Sequence, residues 1–424
     1  MRIAIVDGLR SPVAKAGGKL ADIAADDLGA NIVKELALRV GLDFKDYDEV
    51  IIGNVSSPAH AANIARVIAL KAGFDTSILA HSVHRNCASG MESITQGADK
   101  VILNNGIYMC GGVESMSNIP LFYNKKMTEF FTKLSRAKSI GARLSTLASF
   151  RLSFLKPRVG LIEGLTDPTN GLIMGMTAEN IAKDFGISRT EQDEYALSSH
   201  QKATNAIKSG ILNDEISPIA YGGDKIMSDD DGVRMAQSMK DLGRLRPIFD
   251  KKNGTVTAGN SSQVSDAAGA VVLMSEEKAK EMGLNVLGYL KSYAYAGCEP
   301  SRMGLGPVYS TAKVLKNTGM SMSDFDIIEL NEAFAAQVLG CIRAFDSDKY
   351  AQDNLGLSSK VGAINTDILN VNGGGIAIGH PVGMTGTRIV LHALKELKRR
   401  GKQTALATLC IGGGQGASLV LEAE

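Results

Sequence analysis

Two stretches of the chain are built from the same parts in the same order, and this internal repeat constrains the fold more than any other feature. The first runs from "NCASG" through an amphipathic segment and "NNG" to "IYMC" and two glycines; the second runs from "IGHPVG" through "TRIVLHALKELKRRG" to "TALATLC" and "IGGG". In each copy a glycine, Gly106 or Gly401, ends a predicted helix, and the predicted strand that follows ends in a cysteine, Cys110 or Cys410. We infer that an α/β unit has been duplicated.

The remaining segments predict strands and helices in alternation, which indicates an α/β fold. The segments "IAIVDGLR", "YDEVIIGNV" and "FDIIELN" have the composition of strands, and "ADDLGANIVKELALRVG" and "EAFAAQVLGCIRAF" have helical spacing of apolar residues. We expect an N-terminal half over residues 1–276, with its core in 1–116 and 251–276 and an inserted region over about 117–250. The C-terminal half is expected over 277–424.

Length and charge exclude several classes of protein. The 424 residues suffice for two or three domains, and a net charge of +1 provides no general attraction for nucleic acid. No apolar run approaches the roughly 20 residues of a membrane span, and the first residues lack the apolar centre of a secretory signal. Five scattered cysteines indicate neither a disulfide framework nor a metal site. We therefore expect a cytoplasmic protein without a metal.

One strongly basic stretch, "YNKKMTEFFTKLSRAKSIGARLSTLASFRLSFLKPR", lies inside the expected insertion. Its many lysines and arginines face a single acid, Glu129, and its apolar residues lie near helical spacing, so a basic amphipathic helix is predicted. Such a helix can be a lid packed on its own protein, a peripheral membrane contact through residues 125–158, or a docking site for a partner subunit. The pattern leaves the three readings open.

Three residues in the repeats have the chemistry of a catalytic site. Cys87 directly precedes a predicted helix, whose N-terminal N–H groups stabilise a thiolate, although an unpaired cysteine is more often a buried apolar residue. His380, between Gly379 and Pro381, is expected at the corresponding helix start of the second repeat. Cys410 precedes glycines whose amides suit an oxyanion hole, a plain turn or a phosphate cradle. The combination of the three is improbable by chance and favours a site with a nucleophilic cysteine.

The motifs "NCASG", "GGVESMS", "MGMTAEN", "GNSSQVSDAA", "NEAFAAQ", "GGGIAIGHPVGMTG" and "CIGGGQG", in this order, resemble those of the thiolase family over the whole chain. The resemblance implies two similar α/β halves, each with a five-stranded mixed sheet, stacked in an αβαβα layered core. It also implies that the insertion is a loop domain.

The resemblance further implies roles for the three residues. Cys87 matches the nucleophile that holds the acyl group, and His380 matches the residue that activates this thiol and helps to bind the thioester oxygen. Cys410 matches the second catalytic cysteine, which moves a proton to or from the acetyl-CoA carbon and the incoming CoA thiol. Its pKa is expected to lie nearer neutrality than that of a buried apolar thiol.

Three further residues match binding positions of the family. Asn331, in "NEAF", matches the side chain that holds a catalytic water beside the thioester oxygen. The amides of Cys87 and Gly412 match a second oxyanion hole. Ser262, in "GNSS", matches a contact to coenzyme A. No permanently bound cofactor is implied, and coenzyme A is a substrate.

The implied activity is that of a 3-ketoacyl-CoA thiolase, an acetyl-CoA C-acyltransferase that cleaves 3-ketoacyl-CoA with CoA through an acyl-cysteine intermediate in fatty-acid beta-oxidation. Short-chain biosynthetic thiolases typically carry a histidine where this chain has Ile173, so long acyl chains are favoured. The basic stretch resembles the insertion in thiolase subunits of the trifunctional complex, which implies a possible hydratase/dehydrogenase partner subunit. A homodimer or tetramer is expected.

Other functions fit the sequence less well. A biosynthetic acetyl-CoA acetyltransferase that condenses two acetyl-CoA molecules is the nearest alternative. A decarboxylating ketoacyl synthase relies on two histidines, whereas the second half here carries Cys410. A non-catalytic CoA- or lipid-binding protein would not need the three candidate residues. No G-x-G-x-x-G turn follows the first predicted strand, which disfavours a dinucleotide enzyme.

Overall fold

The structure, a computed structural model, describes residues 1–424 and is built around one large mixed β-sheet. Its strands are β1 (Ile3–Arg10), β2 (Ala14–Lys15), β3 (Glu49–Gly53), β4 (Leu79–Val83), β5 (Tyr108–Ser115), β6 (Leu121–Phe122), β7 (Arg158–Val159), β8 (Ile219–Tyr221), β9 (Lys225–Met227), β10 (Ser265–Ser275), β11 (Gly288–Gly297), β12 (Ile327–Leu330), β13 (Thr404–Ile411) and β14 (Gln415–Glu422).

Helices flank this sheet on both sides and also fill the insertion. They are α1 (Ala25–Val40), α2 (Ile64–Ala72), α3 (Ser89–Asn104), α4 (Lys125–Arg136), α5 (Ile140–Ala148), α6 (Gly160–Gly164), α7 (Met174–Asp184), α8 (Arg189–Lys208), α9 (Met239–Gly243), α10 (Glu276–Glu281), α11 (Gly306–Thr318), α12 (Ala335–Phe345), α13 (Asp348–Tyr350), α14 (Gly375–Ile378) and α15 (Thr385–Arg400). None of them combines the length and the apolar character that crossing a membrane requires.

The order of the strands shows the duplication directly. The sheet runs β12-β13-β14-β11-β1-β10-β5-β3-β4, with β2 beside β10. In the first half β1, β10, β5, β3 and β4 are neighbours in this order; in the second half β11, β14, β13 and β12 follow the same order. Short antiparallel pairing of Ile3, Ala4 and Ile5 with β11 joins the two halves. The two strands that carry Cys110 and Cys410, β5 and β13, therefore occupy equivalent places. The prediction that the first of them ends at Cys110 is wrong: β5 continues to Ser115, because residues up to Ser115 stay paired with β10.

The second half has four strands rather than the five that the resemblance implied. At the fifth place, Leu369 forms a single parallel bridge with Ile328 of β12. The next residue, Asn370, has a φ of +44°, which lies in the left-handed region and cannot continue a strand. The chain turns there into the glycine-rich loop that carries His380.

Residues on the two faces of the same strand are buried in different layers of the core. On β10, Val272 packs with Ile32 of α1 and Ile68 of α2, whereas Val271 faces the centre of the molecule. The central layer is formed by α3 and α15, which pack on each other between the two half-sheets. On β14, Val420 faces the opposite outer layer of α11 and α12. The layered α/β fold expected from the resemblance is confirmed.

Small residues allow the two repeat helices to meet at their N-terminal ends. A Cβ on Gly90, in the first turn of α3, would lie 2.6 Å from Thr387 Oγ1. A Cβ on Gly386, in the first turn of α15, would lie 2.6 Å from the backbone nitrogen of Met91. The two helix starts lie side by side in the middle of the fold, so close together that nothing larger than glycine fits at either position.

Between Ser115 and Ser265 no strand joins the large sheet, and the chain forms α4 to α9 and two small two-stranded sheets, β6–β7 and β8–β9. The prediction of one amphipathic helix for the basic stretch is wrong. Two helices form, because the Ser139 side chain accepts the backbone N–H of Ala142 at 3.2 Å and starts α5 after the chain has left α4 at Ala137.

Candidate active site

A cavity of about 750 Å³ opens between the two halves and the inserted region. Five of the six residues predicted from the sequence line it; these are Cys87, Ser262, His380, Cys410 and Gly412. The sixth, Asn331, is buried behind the wall, and the residues two and three positions further along the chain line the cavity instead.

Cys87 lies on the tight turn that leads into α3, two residues before the helix begins. The preceding residue, Asn86, has a φ of +43°, and its Nδ2 donates to the carbonyl oxygen of Gly412 at 2.7 Å. Gly412 begins the turn between β13 and β14, where Gly413 and Gly414 both have positive φ. The turn that carries Cys87 is thus hydrogen-bonded to the glycine turn that follows Cys410.

The N–H groups at the start of α3 are not sufficient to ionise Cys87 in this cavity. Burial raises the pKa of the Cys87 thiol above its usual value, and the backbone N–H groups of Gly412 and of Cys87 itself oppose that rise without cancelling it. Attack by this sulfur therefore needs a base that removes the thiol proton.

His380, which also lines the cavity, has a basic ring nitrogen in a defined tautomer. Its Nδ1 lies 2.6 Å from Thr385 Oγ1, and the Thr385 hydroxyl donates to the carbonyl oxygen of Pro381 at 3.0 Å. Because a hydroxyl has only one proton, Nδ1–H of His380 must be the donor in the first contact. Nε2 then carries the lone pair, and it has no hydrogen-bond partner in the protein.

The imidazole of His380 is held in its neutral form. Burial lowers its pKa to about 3, and the positive charge of Arg388 acts in the same direction. Its position corrects the sequence prediction, since His380 does not occupy a helix start. The helix α15 begins at Thr385, and a turn through Pro381 separates the histidine from it.

Cys410, near the end of β13, is almost fully buried. Burial raises its pKa well above the usual value, and the nearby Cys87, Cys341 and Cys298 sulfurs add to the rise. The expectation of a pKa nearer neutrality than that of a buried apolar thiol is wrong, because the thiol has no cation or hydrogen-bond donor that favours the thiolate strongly enough. A protonated thiol at this place can act as an acid.

Asn331 has a buried side-chain amide in which neither Oδ1 nor Nδ2 has a partner. Such orphan polar atoms are uncommon in folded proteins and indicate a bound water or ligand atom. The neighbouring Glu332 fixes this loop: its carboxylate accepts from Tyr195 Oη at 3.0 Å, Ser199 Oγ at 2.6 Å and Asn370 Nδ2 at 3.0 Å. Sequence reasoning named Asn331 and missed Glu332.

The rest of the cavity has two kinds of wall. Leu161, Leu165, Ile173 and Phe249 are among its apolar lining residues. The lining also includes two exposed cations that form no ion pair, Lys15 and Arg234. No pattern in the sequence around either cation signalled a role. No group of three or more His, Cys, Asp or Glu side chains is arranged to hold a metal ion.

Comparison with family models finds two matches that together span almost the whole chain. The model described as "Thiolase, N-terminal domain" matches residues 3–277, and "Thiolase, C-terminal domain" matches residues 284–423.

Two curated relatives match over nearly their full length. The 3-ketoacyl-CoA thiolase of Pseudoalteromonas translucida is 39% identical over 424 residues, which cover 99% of this chain and 97% of the relative. The 3-ketoacyl-CoA thiolase of Shewanella pealeana is 40% identical over 426 residues, with coverage of 100% and 97%.

Two solved structures superpose on the chain. The Bacillus anthracis acetyl-CoA acetyltransferase has a TM-score of 0.87 at 36% identity and covers 100% of this chain and 99% of its own. Human mitochondrial 3-ketoacyl-CoA thiolase in complex with CoA has a TM-score of 0.86 at 35% identity, with coverage of 100% and 98%.

Proposed function

The chain belongs to the thiolase family of acyltransferases, and from that premise we propose that it is a 3-ketoacyl-CoA thiolase. It would cleave 3-ketoacyl-CoA with CoA to give acetyl-CoA and a shortened acyl-CoA, a step of fatty-acid beta-oxidation. The observation that carries the proposal is the meeting of two thiols, Cys87 and Cys410, with the neutral imidazole of His380 in one cavity.

In the first half-reaction, His380 Nε2 takes the proton of the Cys87 thiol, and the sulfur attacks the 3-keto carbon. The C2–C3 bond then breaks and leaves the acyl group on Cys87. The electron pair of that bond passes to the acetyl-CoA carbon, which takes the proton of Cys410.

In the second half-reaction the Cys410 thiolate removes the proton of incoming CoA, and the CoA sulfur attacks the acyl-cysteine. The Cys87 thiolate leaves and recovers its proton from His380. Cys87, His380 and Cys410 all end in their starting protonation states, because the proton that Cys410 gives to the acetyl-CoA carbon is replaced by the proton of CoA. The cycle therefore consumes one CoA for one carbon–carbon bond broken and needs no metal.

Two sets of donors suit the negative charge that develops on oxygen. A water held by the unpartnered amide of Asn331, together with the protonated His380 Nε2, would face the thioester oxygen of the acetyl-CoA fragment. The backbone N–H groups of Cys87 and Gly412 would face the oxygen of the acyl group on Cys87. Asn86 supports the second arrangement, because its hydrogen bond to Gly412 keeps these two amides on neighbouring turns.

The proposed halves, 1–276 and 277–424, each supply one part of this chemistry. The first repeat provides the nucleophile, and the second provides the base and the proton carrier. The inserted region, about 117–250, supplies the apolar residues Leu161, Leu165 and Ile173 of the cavity. We assign these to the acyl chain and assign the unpaired cations Lys15 and Arg234, with Ser262, to coenzyme A, whose phosphates are anionic. Coenzyme A acts as substrate, with no permanently bound cofactor.

The nearest alternative is an acetyl-CoA acetyltransferase, the activity named for the Bacillus anthracis neighbour. The apolar Ile173 in the wall favours longer acyl chains over acetoacetyl-CoA. Thiolysis of 3-ketoacyl-CoA substrates from four to sixteen carbons should show kcat/KM rising with chain length. Turnover confined to acetoacetyl-CoA would support the alternative, and no thiolysis at any length would reject both.

We propose that two copies associate through β4, the outermost strand of the first half. Its outer edge has no neighbour in the sheet, and an unpaired edge offers backbone N–H and C=O groups to another strand. Exposed Leu79, Ile102 and Leu103 lie on β4 and at the end of α3. Light scattering should give a dimer or a tetramer for the wild type. Leu79→Asp with Leu103→Asp should give monomers, whereas Leu38→Asp on α1 should not.

We also propose that the basic stretch, residues 125–158, contacts an anionic membrane surface. Ile140 on α5 and Leu152 are 79% and 81% exposed, and of the cations around them only Arg158 forms an ion pair, with Glu163. Exposed apolar side chains among free cations suit an interface with negatively charged lipid. Vesicles of phosphatidylglycerol should sediment the protein, and vesicles of phosphatidylcholine should not. Ile140→Ser with Leu144→Ser should abolish the effect. Binding to a hydratase/dehydrogenase subunit without vesicle binding would favour the protein partner instead.

A further inference from the structure

Glu114, at the end of β5, is a carboxylate that lines the cavity, is only 1% exposed and has no cationic partner. Backbone N–H groups of Val55 and Gly383 donate to its Oε2 at 3.1 and 2.9 Å. The N–H of Ser56 donates to Oε1 at 3.0 Å, and Nδ2 of Asn54 lies 3.4 Å from the same oxygen. All four partners are donors, so the site is shaped for an ionised carboxylate.

These donors come from two loops that are distant in sequence. Residues 54–56 follow β3, and Gly383 lies in the turn between His380 and α15. The turn rests directly on β5, since a Cβ on Gly112 would lie 2.1 Å from the carbonyl oxygen of Gly383. On its other side, a Cβ on Gly90 of α3 would lie 3.1 Å from that same oxygen. The turn is confined on both sides, and its hydrogen bond to the Glu114 carboxylate fixes its position.

The same turn determines where the His380 ring points. Pro381 provides the carbonyl that fixes the Thr385 hydroxyl, and the backbone N–H of His380 donates to the backbone carbonyl oxygen of Gln263 at 3.1 Å. A shift at Gly383 would move the Pro381 carbonyl and, with it, the Thr385 hydroxyl that is hydrogen-bonded to His380 Nδ1. We propose that Glu114 is a positioning residue: by anchoring Gly383 it keeps His380 Nε2 directed at Cys87. This role rests on the function proposed above for His380.

Charges around Glu114 limit the pH range in which this anchor holds. Asp266 on the neighbouring β10 and the Cys87 thiol face it, and His380 on the anchored turn is neutral. Burial raises the pKa of Glu114 to about 7 against the effect of the Ser56, Val55 and Gly383 amides. As the pH falls through this value, the carboxyl gains a proton that meets only N–H donors. The anchor should therefore weaken on acidification and hold above neutrality.

Alkylation of Cys87 by iodoacetamide measures activation of its thiol without requiring any thiolase turnover. Glu114→Gln should lower the alkylation rate at pH 8 by about 10-fold, a modest part of what a general base contributes, and should remove the fall in rate near pH 7. Thiolysis should show the same loss in kcat with little change in KM. Glu114→Asp, which keeps the charge but is one methylene too short to reach both loops, is the second variant if the Gln protein does not fold.

Glu179→Gln is the matched control. Glu179 also accepts backbone amides, from Thr255 at 2.9 Å and Val256 at 2.9 Å, but it does not contact the His380 turn. It should lower thermal stability and leave the alkylation rate and its pH profile unchanged. A wild-type rate of Cys87 alkylation in the Glu114 variants, or an equal loss of that rate in the Glu179 variant, would overturn the positioning role. A wild-type protein that alkylates normally but thiolyses no substrate would reject the proposed function alone.

Discussion

Thr385 Oγ1 lies 2.6 Å from His380 Nδ1, and the Thr385 hydroxyl proton is already committed to the carbonyl oxygen of Pro381. This pair decides which ring nitrogen carries the proton, and hence which nitrogen can act as a base toward Cys87. The threonine lies five residues after the histidine and is the first residue of α15.

Thr385→Val should therefore impair catalysis without removing any group that touches substrate. Valine keeps the shape of threonine but cannot accept the Nδ1 proton, so the imidazole is free to adopt the other tautomer. We expect kcat to fall by about 10². Thr385→Ser retains the hydroxyl and should stay close to wild type. Equal activity of the Val and Ser proteins would show that the hydroxyl does not set the tautomer.

Cys410→Ser should separate the two half-reactions. Serine is a far weaker acid than a thiol, so protonation of the acetyl-CoA carbon slows while attack by Cys87 remains possible. Transfer of an acetyl group from acetyl-CoA to Cys87 should persist, and deuterium exchange at the acetyl methyl group should slow strongly. Exchange at the wild-type rate would remove the proton-carrying role from Cys410.

Arg234→Ala should weaken coenzyme A binding selectively. Its exposed guanidinium lines the cavity and has no acidic partner, so the loss of its charge costs attraction for phosphate rather than stability. KM for CoA should rise, the rise should shrink at high salt, and alkylation of Cys87 should be unaffected. The exposed Arg244, paired with Asp241 away from the cavity lining, provides the control Arg244→Ala. A KM unaffected by the Arg234 change would exclude the phosphate contact.

A buried ionic cluster joins the inserted region to both halves, and it should dominate stability. Glu215 Oε1 accepts from Arg10 Nε at 2.8 Å, and its Oε2 lies 2.8 Å from His392 Nδ1 on α15. Glu215→Gln removes the negative charge that both Arg10 and His392 contact in the buried interior. It should lower the free energy of unfolding by about 3–5 kcal/mol, seen as a lower thermal midpoint. Removal of the exposed partner of Arg158 by Glu163→Gln should leave the midpoint unchanged. A small effect of the Glu215 change would mean that water solvates this cluster.

The cluster also predicts how stability depends on pH. Burial opposes both charges, but the mutual attraction of the pair outweighs it: the pKa of Glu215 is lowered and the pKa of His392 is raised. The Glu215 contribution is therefore present above its unfolded pKa and lost on acidification. The His392 contribution is present below its unfolded pKa and lost as the solution becomes alkaline. The thermal midpoint should peak in between, and Glu215→Gln should flatten the profile.

The sequence predicted the parts of the fold that depend on local pattern. The repeat located α3, α15 and the strands β5 and β13, because the helical spacing of apolar residues is visible residue by residue. It did not predict that Asn105 rather than Gly106 ends α3, or that β5 continues past Cys110. It did not predict the break between α4 and α5, which depends on whether Ser139 is used as a helix cap. The sequence also did not predict that the second half lacks a fifth strand, because this depends on the left-handed backbone conformation of Asn370.

The sequence also indicated which residues converge, but not their protonation. The sequence showed the helix terminus that favours a thiolate at Cys87, but not the burial by distant parts of the chain that raises its pKa. Glu114 and Glu332 were missed because their partners, such as Gly383 and Ser199, are far away in sequence. The catalytic roles themselves remain predictions.

The central claim, that Cys87 carries the acyl group, is tested most directly by mass spectrometry of the protein after mixing with acetyl-CoA and quenching in acid. The proposed mechanism predicts an acetyl group on the peptide that contains Cys87, and none on a folded Cys87→Ala protein. An acetyl group on another cysteine, or no adduct at saturating acetyl-CoA, would contradict it.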